Sequence, residues 1–199
     1  FVLEKRSGKL VKELKTPNKK YWGYAAIHNG YLIGSEANLE HKISWQYSRG
    51  DTSKIPSEST TIFAVNTKTF KTLWSFKPVK SIRNNAIAIS ENKVFLIDRE
   101  LSKMDSKTTR AAKWRKAVRE GKEKIDHPFG TLVALDIKRG KVLWQNKKEI
   151  FGTLLLSKNN YLLMTYTPAN WTQASEIGGR VAMLDATTGK RFWDKSLRN

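Results

Sequence analysis

The sequence predicts an all-β fold of small antiparallel sheets, and three observations carry that expectation. A motif recurs along the chain: AVNTKTFKTLW at 64–74, ALDIKRGKVLW at 134–144 and MLDATTGKRFW at 183–193, with a weaker copy, VLEKRSGKLVK, at 2–12. Between the copies lie paired apolar runs, Tyr24 to Ile27 with Tyr31 to Ile33, Ala86 to Ile89 with Val94 to Ile97, and Thr153 to Leu156 with Tyr161 to Met164. Each pair is split by a turn cluster, "HNG", "SENK" or "SKNN", of the kind that closes β-hairpins.

Within the motif, the acid or amide at Glu4, Asn66, Asp136 and Asp185 can accept backbone N–H groups of its own turn. Gly140 and Gly189 can take the positive φ that a tight turn requires. Phe70 replaces this glycine in the second copy, so a different turn is expected there. The repeating unit is then hairpin A–B, a connection, and hairpin C–D. Runs such as "VFLI" and "YLLM" are apolar without alternation, which predicts strands covered on both faces. Four-stranded sheets covered on both faces and repeated along a chain describe the blades of a β-propeller. Tryptophan at one register in successive strands D, at Trp74, Trp144 and Trp193, has the size to wedge between neighbouring blades.

The pattern A-x-D-x-x-x-G-x-x-x-W resembles the tryptophan-docking motif of the pyrroloquinoline quinone (PQQ) type propeller repeat. That family includes quinoprotein dehydrogenases and non-catalytic relatives such as the outer-membrane assembly lipoprotein. On this resemblance Asn66, Trp74, Asp136, Gly140, Trp144, Asp185, Gly189 and Trp193 form the docking set. About three and a half blades are expected: a C–D half at 1–14 and full units at 22–77, 84–147 and 153–197. Such an arc cannot close the ring of seven or eight that the resemblance implies. The remaining blades must come from the parent chain or from another subunit. The first residue, Phe1, further suggests a processed or excised piece.

Long insertions fall in the connection between strands B and C of each unit, at 35–59, 99–129 and 167–179, and should crowd one face. Each holds one further tryptophan, Trp45, Trp114 or Trp171. These either build a shared binding surface or pin their own loops; Trp22 precedes strand A. The middle insertion predicts a short basic α-helix over 103–124, capped by Ser106 or Thr109, with Ala111, Trp114 and Val118 as its apolar stripe. Its other faces carry Lys113, Arg115, Lys116 and Arg119. Together with a net charge of +19, from 37 Lys and Arg against 18 Asp and Glu, this favours a protein or anionic partner over a neutral one. Nucleic acid is a less favoured alternative.

Cys is absent, which removes disulfides, thiolate nucleophiles and Cys-based zinc sites. No apolar run approaches the roughly 20 residues of a membrane helix. His28, His41 and His127 lack metal-ligand spacing, and Asp98 has no partner that the sequence identifies. If the resemblance extended to catalysis it would imply PQQ, calcium, a catalytic Asp and a vicinal disulfide, the last of which this chain cannot form. The expectation is therefore a non-catalytic binding or scaffolding module without cofactor, exported to the periplasm or cell exterior. The competing reading is a fragment of a PQQ-dependent alcohol or sugar dehydrogenase.

Overall fold

A computed structural model describes residues 1–39, 57–101, 120–122, 129–165 and 179–196. Among these residues the regular structure is β-strand throughout, and every strand pairing is antiparallel. A short hairpin, β1 (Val2–Leu3) with β2 (Leu10–Lys12), comes first. Three four-stranded meanders follow. They are β3 (Trp22–His28), β4 (Tyr31–Ala37), β5 (Glu58–Asn66) and β6 (Thr72–Phe76); then β7 (Ser81–Ser90), β8 (Lys93–Arg99), β9 (Gly130–Asp136) and β10 (Val142–Ile150); then β11 (Leu154–Lys158), β12 (Tyr161–Thr165), β13 (Arg180–Asp185) and β14 (Arg191–Ser196). A short pairing of Glu58 with Arg83 and Ser59 with Ile82 joins the first two meanders into one eight-stranded sheet.

The motif turns share one hydrogen-bond pattern, because the same residue types meet the same backbone demand. The residue at the acid position donates its N–H to a carbonyl five residues on, Asn66 to Lys71, Asp136 to Lys141, Asp185 to Lys190 and Glu4 to Lys9. Its own carbonyl accepts from Phe70, Gly140, Gly189 and Gly8 respectively. Side chains complete three of these turns. Asn66 Oδ1 accepts from Lys68 and Thr69, Asp136 Oδ1 from Lys138 and Arg139, and Asp185 Oδ1 from Thr187 and Thr188. Phe70 does not turn differently: it takes φ +56° in the same bonded turn where Gly140 takes +67° and Gly189 +71°. The bonds around it impose a backbone conformation that phenylalanine by itself disfavours.

Register places equivalent residues in rows across each sheet. In the first meander Ala26, Ile33, Ala64 and Trp74 are cross-strand neighbours; in the second, Ala88, Phe95, Ala134 and Trp144; in the third, Leu156, Leu163, Met183 and Trp193. Ile33, Ala64 and Trp74 of the first row pack into a core with Ile87, Val94, Leu96, Val133 and Leu135 of the second meander. The second row packs into a core with Leu155, Leu162, Met164, Ala182 and Leu184 of the third. Alternate residues of β8 and β9 thus serve two different cores, which is why "VFLI" carries no polar alternation. "YLLM" departs from the expectation of double coverage. Leu162 and Met164 are buried, but Tyr161 is 53% exposed and Leu163 only half-buried, because no sheet among the described residues lies over that face.

Several boundaries shift from the expected ones. Strand β4 continues to Ala37 and β5 begins at Glu58, so the B–C connections run over 38–57, 100–129 and 166–179. Trp22 does not precede its strand but opens β3, where its ring meets Phe63 edge-on at 5.2 Å over Gly34. The basic helix expected over 103–124 lies outside the described residues except for Glu120–Lys122, which form a turn with Gly121 at φ +69°. No helix among the described residues is long and apolar enough to cross a membrane.

Candidate functional site

Two of the three motif tryptophans, Trp74 and Trp144, sit at successive junctions between meanders. Trp74, 8% exposed, donates its indole Nε1–H to Ile137 O at 2.8 Å, one residue past Asp136 in the next meander. A Cβ built on Gly140 would lie 2.5 Å from the Trp74 ring, so only glycine allows the indole to rest on that turn. Trp144 repeats the arrangement on Gly189, again 2.5 Å from such a Cβ, with Phe95 at 6.0 Å between ring centroids. Its Nε1 is buried without an acceptor, whereas the neighbouring Asn146 Nδ2 donates to Gly189 O at 2.7 Å. Trp193 is 41% exposed on the open face of the third meander.

The other candidate face is the one from which the B–C connections emerge. Trp45, Trp114, Trp171, Lys113, Arg115, Lys116 and Arg119 all lie outside the described residues. The strand ends at which these connections begin and end are described, and they carry a layer of buried polar groups. Glu58 and Arg83 pair at 2.8 Å with side chains 1% and 3% exposed, and Ser81 Oγ donates to the second Glu58 oxygen. Ser35 and Ser59 share a hydrogen bond of 2.7 Å, and Ser59 donates on to Asn84 Oδ1. Glu36 accepts both the backbone and side-chain N–H groups of Asn18. Asp98, the acid whose partner the sequence left open, accepts the backbone N–H groups of Val79 and Lys80 at 2.7 and 2.9 Å. It thereby ties the entry of β7 to the end of β8. A cleft of about 540 Å³ opens beside it, lined in part by Lys80, Glu100, Phe129, Gln145 and Lys147. His28 closes the β3 strand and its Nε2 lies 2.9 Å from Glu91 O; His41 and His127 lie outside the described residues.

Calcium takes six to eight oxygen ligands, and a PQQ–calcium centre would need carboxylates free to converge. Among the described residues no three of His, Cys, Asp and Glu do so. The carboxylates of Glu36, Glu58, Asp98, Asp136 and Asp185 are instead engaged by the turns, strand ends and ion pair described above. The described residues do not fit that pair of groups.

Three carboxyls are held below their ordinary range. Burial alone would push Glu36 up, but hydrogen bonds from Asn18, Thr16 and Thr61 outweigh it. The backbone N–H of Thr188, with that of Thr187, lowers Asp185. The Arg180 hydrogen bond, with the charges of Arg180 and Arg191, lowers Asp194. A carboxyl with a depressed folded pKa adds stability that is present above its unfolded value and lost as pH falls through the folded one. Urea midpoints followed by tryptophan fluorescence are therefore expected to drop steadily between about pH 5 and about pH 2. A midpoint that stays level or rises over that range contradicts the assignment.

The sequence matches the family described as outer membrane protein assembly factor BamB over residues 3–199. The chain belongs to this family. The BamB-family assignment places it among PQQ-like propeller repeats. The computationally designed Ika4 protein is similar in fold, with a TM-score of 0.53 at 13% identity over 95% of this chain and 82% of its own. BamB from Moraxella catarrhalis is 18% identical over 87% of this chain and 49% of its own, with a TM-score of 0.43. A europium-containing methanol dehydrogenase is 15% identical over 88% of this chain, with a TM-score of 0.49. The chain spans 25% of that dehydrogenase's length. No curated protein matches the sequence.

Proposed function

We propose that this BamB-family chain is part of a non-catalytic propeller that binds or scaffolds a protein partner in the periplasm or outside the cell. In this reading residues 1–14 are half a blade, and 22–77, 84–147 and 153–197 are blades joined by Trp74 on Gly140 and Trp144 on Gly189. The working surface is the B–C face, with Trp45, Trp114 and Trp171 as aromatic anchors and Lys113, Arg115, Lys116 and Arg119 drawing in acidic groups. The observation that carries the reading is the commitment of Glu58 and Asp98 on that face to an ion pair and a strand end, which leaves neither carboxylate for general acid–base work or metal binding. The family description, an assembly factor, supports a protein as the partner.

The test is reconstitution of the full-length product with PQQ and calcium, followed by dye-linked oxidation of alcohols and sugars. No oxidation above that of a protein-free control, with or without added cofactor, is the expected result. Robust PQQ-dependent turnover would overturn the reading in favour of the dehydrogenase.

A further inference from the structure

The ends of the sheets opposite the B–C connections are made of turns, and hydrogen bonds join those turns into one surface. Within each meander the C–D turn donates to the A–B turn, Thr67 N–H to Gly30 O, Ile137 N–H to Asn92 O and Ala186 N–H to Asn160 O. Between meanders the A–B turns meet as well, with His28 Nε2 2.9 Å from Glu91 O and Ser90 Oγ donating to Asn159 O at 3.2 Å. The three C–D turns, 67–71, 137–141 and 186–190, contain six basic residues, Lys68, Lys71, Lys138, Arg139, Lys141 and Lys190, and no acid. All six are exposed, and none forms an ion pair among the described residues. At the other end of the same sheets the cations are paired: Lys80 with Glu100, Arg83 with Glu58 and Arg180 with Asp194. The acids that open two of the turns, Asp136 and Asp185, direct Oδ1 to N–H groups of the turn itself. On the A–B turns Glu91 and Lys158 offset each other in charge. The turn face is therefore a positive surface without counter-charges of its own.

We propose that this turn face docks on a bilayer surface bearing anionic headgroups, with the six cations of the C–D turns meeting the lipid phosphates. The inference goes beyond the binding of a protein partner proposed above and uses the opposite end of the strands. Like charges gathered on one surface repel, and an anionic surface laid against them relieves that repulsion. The turns are already fixed, since the carbonyls of Lys71, Lys141 and Lys190 accept the N–H groups of Asn66, Asp136 and Asp185, so docking has little backbone to order. Five of the six cations are lysines, point charges on flexible stems that need no set angle of approach, which suits headgroups that rearrange beneath them. The exposed side chains of the three turns are lysine, arginine and threonine alone. They offer no aromatic or aliphatic anchor of the kind that carries a protein interface, and no exposed ring on which a base could stack. Nor do the described residues supply a helix to enter the groove of a duplex.

Sedimentation of the full-length product with phosphatidylcholine vesicles, with and without about one-third phosphatidylglycerol, tests this. Binding is expected to be at least roughly tenfold stronger to the anionic vesicles, and that gain should fade as salt rises from about 50 to about 200 mM. The combined variant Lys71→Gln, Lys138→Gln, Arg139→Gln and Lys141→Gln is expected to lower the anionic binding by roughly a hundredfold, at about fivefold for each charge brought near the surface. Its urea midpoint should match that of the parent, since all four side chains are exposed. The control variant Lys113→Gln, Arg115→Gln, Lys116→Gln and Arg119→Gln removes as much charge from the B–C face and should cost far less. The proposal is overturned if the protein ignores both kinds of vesicle, binds them equally, or is indifferent to the turn substitutions. It is also overturned if the control variant loses as much as the turn variant, or if a DNA duplex at equal phosphate concentration holds the protein more tightly than the anionic vesicles. The dye-linked oxidation assay is independent of all these outcomes, so either reading can fail without the other.

Discussion

Replacement of Trp74 by alanine is expected to cost about 3–5 kcal/mol of stability, the range found when a buried indole is truncated in a core. Trp74 fills the junction between the first two meanders, where Ile33, Ile62, Val133 and Leu135 also pack. Its loss leaves a cavity and deprives Ile137 O of the 2.8 Å bond from Nε1. The same change at Trp144 should cost less, because that ring is half-buried and its Nε1 gives no hydrogen bond to lose. At Trp193 it should cost the isolated chain least of all. Gly140→Ala should destabilise as well, since its Cβ would be driven into the Trp74 ring and its φ is +67°. In the Trp74→Ala background the steric part of that cost disappears, so the two changes should not add. Urea unfolding of the single and double variants measures this. Equal effects at Trp74 and Trp193, or strict additivity at Trp74 and Gly140, would contradict the joint.

The second large effect is expected at Arg83. Its guanidinium and the Glu58 carboxylate form an ion pair that water barely reaches, at the place where β5 and β7 join the first two meanders. Arg83→Met leaves the carboxylate buried without its cation, and removal of one member of such a pair costs about 3–5 kcal/mol. The double variant Glu58→Leu with Arg83→Met should recover most of the loss, because desolvation of two charges offsets much of their attraction. A single variant as stable as the parent chain, or a double variant worse than the single, would show that the pair does not hold this junction.

The difference between these two predictions reflects what a sequence can disclose. Trp74 announced itself because an entire motif repeats around it, and the spacing from acid to glycine to indole is local chemistry of one turn and one strand. The turns at Asn66, Asp136 and Asp185 were legible for the same reason: the accepting side chain and its N–H donors lie two or three residues apart. Glu58 with Arg83, Glu36 with Asn18, and Asp98 with Val79 and Lys80 carry no such mark. Their partners stand 18 to 25 residues away and meet only after whole strands have paired, so no local spacing in the sequence marks them. Trp22 was misplaced because an indole beside a predicted strand looks the same whether it precedes that strand or opens it.

The sequence by itself determined the strand order within each unit, the turn chemistry and the register of the motif indoles, because each follows from contacts closed over a few residues or repeated at equivalent places. Tertiary structure decided which apolar rows are covered and which stay open, and which charges meet at the strand ends from which the B–C connections start. Those outcomes depend on the distance between surfaces of separate sheets, and that distance exists only once the sheets have packed.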